Sequence, residues 1–478
     1  MEHISLKKTV LTSCLGLVSL THSLKVNAQE KYNVLFIMID DLRPELGCFG
    51  RDYIKSPNID RLASEGIAMH NAYCNISVSG SSRASLLTGL YPTRNRFTTY
   101  YASAIKEVPE IVSLPEHFKN NGYETLSVGK IFHNYETDML RAWSETPWHP
   151  ATCDGKKFWR DYRAPENMHA MKNNKGGAAW EDTITDDDEY FDGKTAAMAV
   201  KRLKQYAENG KQFFLGVGFL KPHLPFNAPR KYWDMYTKEE VSLAPNPFYP
   251  KDAPKEATRY NYDEIRDYDG IPRGREKFSD ELALKLRHGY FASVSYVDAQ
   301  VGRVMDALRE TGLDKNTIVV LFGDHGWSLG EHSHWCKHTC FHTNLNTPLI
   351  FSVPGYQRGV ASEATISYVD LYPTLCELTG LDKPKHLQGE SAVKLLKDPT
   401  IKGGYEFCRY PDGEAVVTDR YVYTEYFDKK TQSTVSRMLY DHATDPQENV
   451  NVAEHEEYKA VVKKLSKLLH KHVKRVNK

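Results

Sequence analysis

A chain of 478 residues can bury a large core and should form one big domain plus a smaller one; 41% apolar and 12% aromatic residues are ordinary for a globular protein. Lys+Arg and Asp+Glu balance at 62 each, which excludes a global field for holding nucleic acid or an anionic membrane. An anionic ligand would have to be met by a local cluster of cations.

The chain opens on what reads as a secretory signal over residues 1–28. Lys7-Lys8 precede an apolar stretch from Val10 to Leu20, and Val26-Asn27-Ala28 supplies a small-residue cleavage site. The stretch is too short and too polar to remain as a membrane span. Leu11-Thr12-Ser13-Cys14 imitates a lipoprotein box, but too few apolar residues precede Cys14, so cleavage after Ala28 is the preferred reading over lipid anchoring. Seven cysteines would then remain, with no metal-type CxxC pair, so at least one thiol is free and disulfides are not the scaffold.

Four apolar runs predict strands buried on both faces of a mainly parallel sheet. Asn33 to Ile39 ends in Asp40-Asp41, and Thr125 to Val128 leads into Lys130 and His133. Phe213 to Phe219 leads into Lys221 and His223, and Thr317 to Phe322 into Asp324-His325. Ligands of open α/β sheets bind beyond the carboxyl ends of the strands, so Asp, Lys and His delivered there by four strands predict one convergent site. Between them, helices are expected from Pro57 to Glu65 after a Ser56 cap, from Thr195 to Glu208, and from Ser279 to Arg309 with a bend at Gly289. Residues 143–188 and 244–275, the second with five prolines, lack periodicity and read as substrate-shaping loops. After Leu375 the pattern changes. Alternating segments from Ala415 to Thr418, Tyr421 to Tyr426 and Ser436 to Tyr440 predict a small antiparallel sheet, closed by a Lys-rich amphipathic helix from Glu457 to Val473 whose charged side is a solvated face. The expected division is 29–396 and 397–478.

The most informative stretch is Ser79-Gly80-Ser81-Ser82-Arg83, continued by Ala84-Ser85-Leu86-Leu87-Thr88-Gly89-Leu90-Tyr91-Pro92-Thr93-Arg94. Among the neighbouring Ser and Cys residues only Ser79 has Arg four positions later. An ordinary Ser cap at a helix entry explains the Ser and Arg content but not the continuation to Arg94. The stretch resembles the signature of type I sulfatases, in which a Cys or Ser is oxidised after synthesis to formylglycine. Four further motifs extend the resemblance over nearly the whole mature chain, closest to the iduronate-2-sulfatase branch. They are Ile39-Asp40-Asp41-Leu42-Arg43-Pro44, Gly129-Lys130-Ile131-Phe132-His133, Lys221-Pro222-His223-Leu224-Pro225-Phe226, and Asp324-His325-Gly326-Trp327-Ser328-Leu329-Gly330-Glu331-His332 with Lys337 after it. The Lys-x-x-His spacing at 130 to 133 is itself a mark of that branch. The resemblance implies an α/β fold like that of alkaline phosphatase: a large, mixed, mostly parallel sheet sandwiched by helices, with a smaller α+β C-terminal subdomain.

Asp40, Asp41 and Asp324 suit a hard divalent cation, and without one they would repel each other and raise one pKa. The family implies calcium, with an oxygen of the modified Ser79 in its shell. His325 stands where many sulfatases carry Asn. It is either a ligand, with a nitrogen more natural for a softer metal, or an orienter of Asp324. In the implied chemistry the hydrated aldehyde attacks sulfur with one oxygen, and the proton of the second hydroxyl is then lost to expel sulfate. Arg83, one helical turn from Ser79, would hold that oxygen and the metal ligands. Lys130, Lys221 and Lys337 are candidates to stabilise the transferred group, against the common fate of a snorkelling surface lysine. Following the family, His223 protonates the leaving sugar and His133 removes the gem-diol proton, roles that could be exchanged. His332, His334 and Trp335 are candidates either to contact the sugar or to pack.

One departure concerns maturation. Two positions after the modified residue the family usually has Pro or Ala, and here Ser81 stands there, which bears on the efficiency of conversion. A Ser-type signature implies the oxygen-independent radical maturation enzyme and an anaerobic host; a Cys-to-Ser exchange made for an experiment would read the same. The leading expectation is a periplasmic, Gram-negative exo-sulfatase removing the 2-O-sulfate from a terminal, unsaturated uronic acid of heparan or chondroitin/dermatan fragments, with no stable membrane insertion. The alternatives are a sulfatase for another sugar position, a phosphoester or phosphonate hydrolase of the same superfamily, and a non-catalytic binder of sulfated glycans in which Ser79 stays unmodified.

Overall fold

The computed structural model describes residues 32–134, 138–150, 158–173, 176–258, 264–274 and 277–477. The predicted leader lies outside them, as do Cys14 and Cys153. Seven strands make the main sheet: β1 (Asn33–Ile39), β2 (Ile67–Tyr73), β3 (Glu124–Gly129), β4 (Phe213–Phe219), β5 (Thr317–Gly323), β6 (Asn346–Ser352) and β7 (Val360–Ser367). Their order is β7-β2-β6-β5-β1-β4-β3. β1 lies in parallel between β4 and β5, β3 is parallel to β4, and β7 is parallel to β2. β6 alone runs antiparallel to both its neighbours, so the sheet is mixed and mostly parallel.

Alternation along β1 shows why it sits inside the sheet. Val34, Phe36 and Met38 join the core on one face of the sheet, and Leu35, Ile37 and Ile39 the core on the other. Each such side chain, fully withdrawn from water, contributes about 1.5–3 kcal/mol. β2, β6 and β7 were not expected from the sequence. β2 carries half-buried His70 and Asn71, β7 exposes Glu363, and β6 contains Pro348, which cannot donate to a ladder and coincides with a register shift against β2.

α1 (Pro57–Ser64) follows its expected span, and α2 (Ser79–Thr88) lies where the sequence marks a helix entry but no span. α3 (Phe191–Asn209) starts four residues earlier than expected, and α4 (Asp280–Glu310) follows its expected span. Ser56 does not cap α1. Its hydroxyl instead donates to Asp60 Oδ1 at 3.2 Å and accepts from the Gly47 N–H at 3.0 Å. Ser279 does cap α4, accepting from Leu282 N–H at 3.2 Å. Gly289 lies inside an unbroken helix, where a Cβ would collide with Phe226 and Trp233, so close packing accounts for it.

The C-terminal sheet has four antiparallel strands, β8 (Tyr405–Tyr410), β9 (Gly413–Thr418), β10 (Tyr421–Phe427) and β11 (Thr434–Asp441), one more than the sequence suggested. The closing helix (Lys459–Val476) buries Leu465, Leu469, His472 and Val476 against Phe407, Val416, Tyr423 and Leu439, leaving its lysines on the outer side. The other face of this sheet, with Cys408, Val417, Val422 and Tyr440, is continuous with a core of the main sheet. No disulfide joins any of the six cysteines among the described residues. Among the described residues no helix is long and apolar enough to cross a membrane.

Candidate active site

β1 and β5 deliver the acids. Sheet hydrogen bonding continues past both strand ends, with the Asp40 N–H on Phe219 O and the Asp324 N–H on Ile39 O, each at 3.1 Å. Asp41 then turns the chain with φ of 61°, a left-handed conformation that Asp tolerates better than most residues, and its N–H donates to Asp324 Oδ1 at 3.0 Å. The three acids and His325, all buried, offer ligand atoms within 4.8 Å of one another. Asp41 Oδ2 has no hydrogen-bond partner in this interior. The His325 Nδ1 lies 2.9 Å from the Gly326 carbonyl, which can only accept, so Nδ1 carries the proton and the bare Nε2 faces the acids. A hard divalent cation fits this donor set, and the outward lone pair of His325 makes it a ligand candidate rather than only an orienter of Asp324.

α2 supplies the candidate nucleophile at its N-terminus, where the helix dipole favours negative charge. Val78, not Ser79, is the N-cap, and the Ser79 hydroxyl points into the acid cluster, 3.2 Å from Asp40 Oδ1 and 2.9 Å from His325 Nε2. Arg83, fully buried, donates to Asp324 Oδ2 (2.9 Å), Asp40 Oδ1 (3.1 Å), Lys130 O (2.6 Å) and Ile131 O (3.0 Å). One guanidinium fork thus ties together the ends of β1, β3 and β5. Gly129, at φ of 76°, abuts the Gly218 carbonyl where no Cβ would fit, and this close approach lets the chain leave β3 with Lys130 aimed at Asp40.

Two further cations and two imidazoles ring the cluster. Lys130 pairs with Asp40 Oδ2, and Lys337 reaches Asp41 Oδ1 at 2.8 Å. Burial works to raise the Asp40 pKa, but Lys130 and Arg83 outweigh it and hold it well below the usual range. For Asp41, burial and the neighbouring Asp40 and Asp324 win over Lys337 and push it well above. His133 is half-buried, its Nδ1 without a partner, and burial followed by Lys130 keeps the ring neutral. His223 is held with Nδ1 2.6 Å from Leu224 O; burial lowers its pKa to about 4 against the pull of Glu264.

Not every predicted residue joins this ring. Lys221 donates to the carbonyls of His223 (2.7 Å) and Pro225 (2.6 Å), so its ammonium fastens the turn that carries His223 instead of facing the acids. The His332 Nε2 lies 2.9 Å from Gln447 O, the His334 Nε2 lies 2.7 Å from Lys337 O, and Trp335 packs on Phe278 with ring centroids 5.4 Å apart. These three occupy the packing side of the two readings. The sequence missed Glu264, whose carboxylate stands 3.4 Å from both His223 Nε2 and Lys337 Nζ. Burial opposes its ionisation, yet Lys337 and His223 bring it down to about 2. Its signal was the aperiodic, Pro-rich stretch 244–275. Also missed was Asp192, on α3, which accepts from the backbone N–H groups of Leu220 and Lys221 at 2.7 Å each and so anchors the start of the His223 turn.

The chain matches the sulfatase family over residues 32–381 and the C-terminal family of N-sulphoglucosamine sulphohydrolase over residues 330–475. It belongs to the type I sulfatases and is a sulfuric ester hydrolase. The iduronate 2-sulfatase of Homo sapiens is 34% identical over 417 residues, covering 78% of this chain and 74% of that protein. A sulfatase of Formosa agariphila is 31% identical over 464 residues, 92% of this chain and 87% of that one. Within the family the chain stands close to the iduronate-2-sulfatase branch. Among solved structures, the phosphonate monoester hydrolase of Agrobacterium radiobacter superposes with a TM-score of 0.75 at 22% identity, over 93% of this chain and 96% of that one, which shows the shared fold of the alkaline-phosphatase type.

Proposed function

We propose that the protein removes the 2-O-sulfate from a terminal uronic acid of heparan or chondroitin/dermatan fragments, the uronate being the unsaturated sugar left by a lyase. The carrying observation is the placement of Ser79, its hydroxyl within 3.2 Å of Asp40 and 2.9 Å of His325 at the head of α2, where an oxidised and hydrated side chain would be both nucleophile and ligand. The similarity to the human protein named iduronate 2-sulfatase supports the choice of position and sugar.

In this reading Ser79 is converted to formylglycine by a radical maturation enzyme and hydrates to a gem-diol. Asp40, Asp41, Asp324 and His325 would hold one calcium ion, which supplies positive charge to lower the pKa of a bound oxygen and offset the sulfate. The chain's own residues do the rest. One gem-diol oxygen, its proton lost to solvent, attacks sulfur, and the S–O bond to the sugar breaks. The sugar oxygen takes the Nε2 proton of a His223 that has taken up a second proton from solvent, leaving the ring neutral. His133, neutral and with a free Nδ1, then accepts the proton of the second hydroxyl, the C–O bond to sulfate breaks, and the aldehyde re-forms. Lys130 and Lys337 stabilise the charge spread over the sulfuryl oxygens. Residues 29–396 carry this site and 397–478 form the second subdomain, after removal of residues 1–28 on export to the periplasm.

The test is sulfate release from a panel of glycosaminoglycan disaccharides, each bearing one sulfate, with protein co-expressed with the maturation enzyme. Release from the 2-O-sulfated uronates alone is expected. Release from 6-O- or N-sulfated members with the 2-O-sulfated ones untouched refutes the substrate while leaving the sulfatase assignment standing.

A further inference from the structure

Glu264 is a half-buried carboxylate for which the chemistry above has no task. It opens the short turn Glu264–Asp267, and its two oxygens address two different groups: Oε1 lies 3.4 Å from His223 Nε2 and Oε2 lies 3.4 Å from Lys337 Nζ. The His223 ring cannot turn Nε2 elsewhere without giving up the 2.6 Å bond from its Nδ1 to Leu224 O, so Nε2 is the nitrogen presented to substrate. Lys337 is likewise held from two sides, by Glu264 and by Asp41 Oδ1 at 2.8 Å. Among the described residues the side chains grouped so that they could hold a metal are Asp40, Asp41, Asp324 and His325, and Glu264 stands outside that group. A carboxylate serving only to neutralise Lys337 would have no reason to place its second oxygen on the imidazole.

We propose that Glu264 is a positioning residue for departure of the alcohol: it fixes His223 Nε2 and Lys337 Nζ in one arrangement, and thereby suits the site to esters of poor leaving groups such as sugar hydroxyls. The proposal rests on the sulfatase reading above. With Nδ1 bonded to Leu224 O, Nε2 carries a proton only in the imidazolium, which forms by uptake of a proton from solvent beside the Glu264 carboxylate. As the S–O bond breaks, its electron pair stays on the sugar oxygen, which takes that Nε2 proton and leaves the ring neutral, while Lys337 faces the oxygens that remain on sulfur. An aryl sulfate, whose phenolate leaves without a proton, makes no such demand, so dependence on Glu264 is a dependence on the leaving group.

The experiment compares the formylglycine-bearing wild type with Glu264→Gln, Glu264→Asp and Glu264→Ala on two esters, the sulfated disaccharide that the wild type cleaves best and 4-nitrocatechol sulfate. Removing aid to a leaving group by a positioned acid costs about a hundredfold or more. On the sugar ester, kcat of Glu264→Gln is therefore expected to fall about a hundredfold with KM within about threefold, Glu264→Asp recovering to within about tenfold of wild type. On the aryl ester the fall is far smaller. Equal losses on both esters, a rise in KM with kcat preserved, or an Asp variant no better than Ala would overturn the proposal. A wild type that cleaves neither ester, with formylglycine confirmed by mass spectrometry, overturns the function reading itself and is distinguished by requiring no variant.

Discussion

Replacing Asp41 by Asn should stabilise the metal-free protein and weaken its response to metal. Asp41 is fully buried, Lys337 satisfies Oδ1 at 2.8 Å, and Oδ2 has no partner beside Asp40 and Asp324. Burial and the like charges raise its pKa well above 3.8 despite Lys337, so the folded protein binds more protons there than the unfolded chain. Stability is therefore lost progressively as pH rises from about 3.8 through the folded pKa, with no metal to offset the loss. Asn keeps an oxygen for Lys337 and replaces the orphaned oxygen by a donor facing acids. The expected gain is about 1–3 kcal/mol, the cost of leaving a buried polar group unsatisfied. Calcium at about 100 times its dissociation constant returns about 2.7 kcal/mol to the wild type, and less to the variant, which lacks a charged ligand. Urea unfolding at pH 8, in chelator and in calcium, reads both effects. A variant less stable than wild type in chelator, or one with an undiminished gain from calcium, would refute the reasoning.

Mass spectrometry of the native protein should find the Ser79 peptide lighter by two hydrogens, with or without added water, and Ser79→Ala should abolish sulfate release with an unchanged unfolding midpoint. Arg83→Met leaves Asp324 without its guanidinium partner and Asp40 with Lys130 alone, and should cost about 3–5 kcal/mol, seen as a lowered urea midpoint in chelator. Asp192→Asn has one acceptor oxygen for two backbone N–H groups and should lose about 1–3 kcal/mol along with part of kcat, since the turn carrying His223 loosens; unchanged values of both would remove Asp192 from the site's support.

The strands that build the site were legible because burial on both faces forces an unbroken apolar run, as in Asn33 to Ile39 and Phe213 to Phe219, and reactive residues at their ends stand out against it. The strands further out were not. A proline in β6 and polar residues in β2 and β7 break that pattern, and pairing with neighbours supplies what local sequence lacks. Proximity in sequence also misled at Lys221, which sits next to a site motif but spends its charge on the carbonyls of its own turn. Glu264 shows the opposite case, an acid brought in by an aperiodic loop that no spacing rule addresses.

Every residue of α2 is buried, Gly80 is pressed against the Tyr100 backbone, and the Ser81 hydroxyl is tied to Thr99 O at 2.7 Å. An enzyme that had to reach the Ser79 side chain would find no accessible stretch of peptide around it in the finished fold. On the proposed reading, oxidation of Ser79 would therefore fall to the nascent or translocating chain, and a copy that closes before it would stay inert.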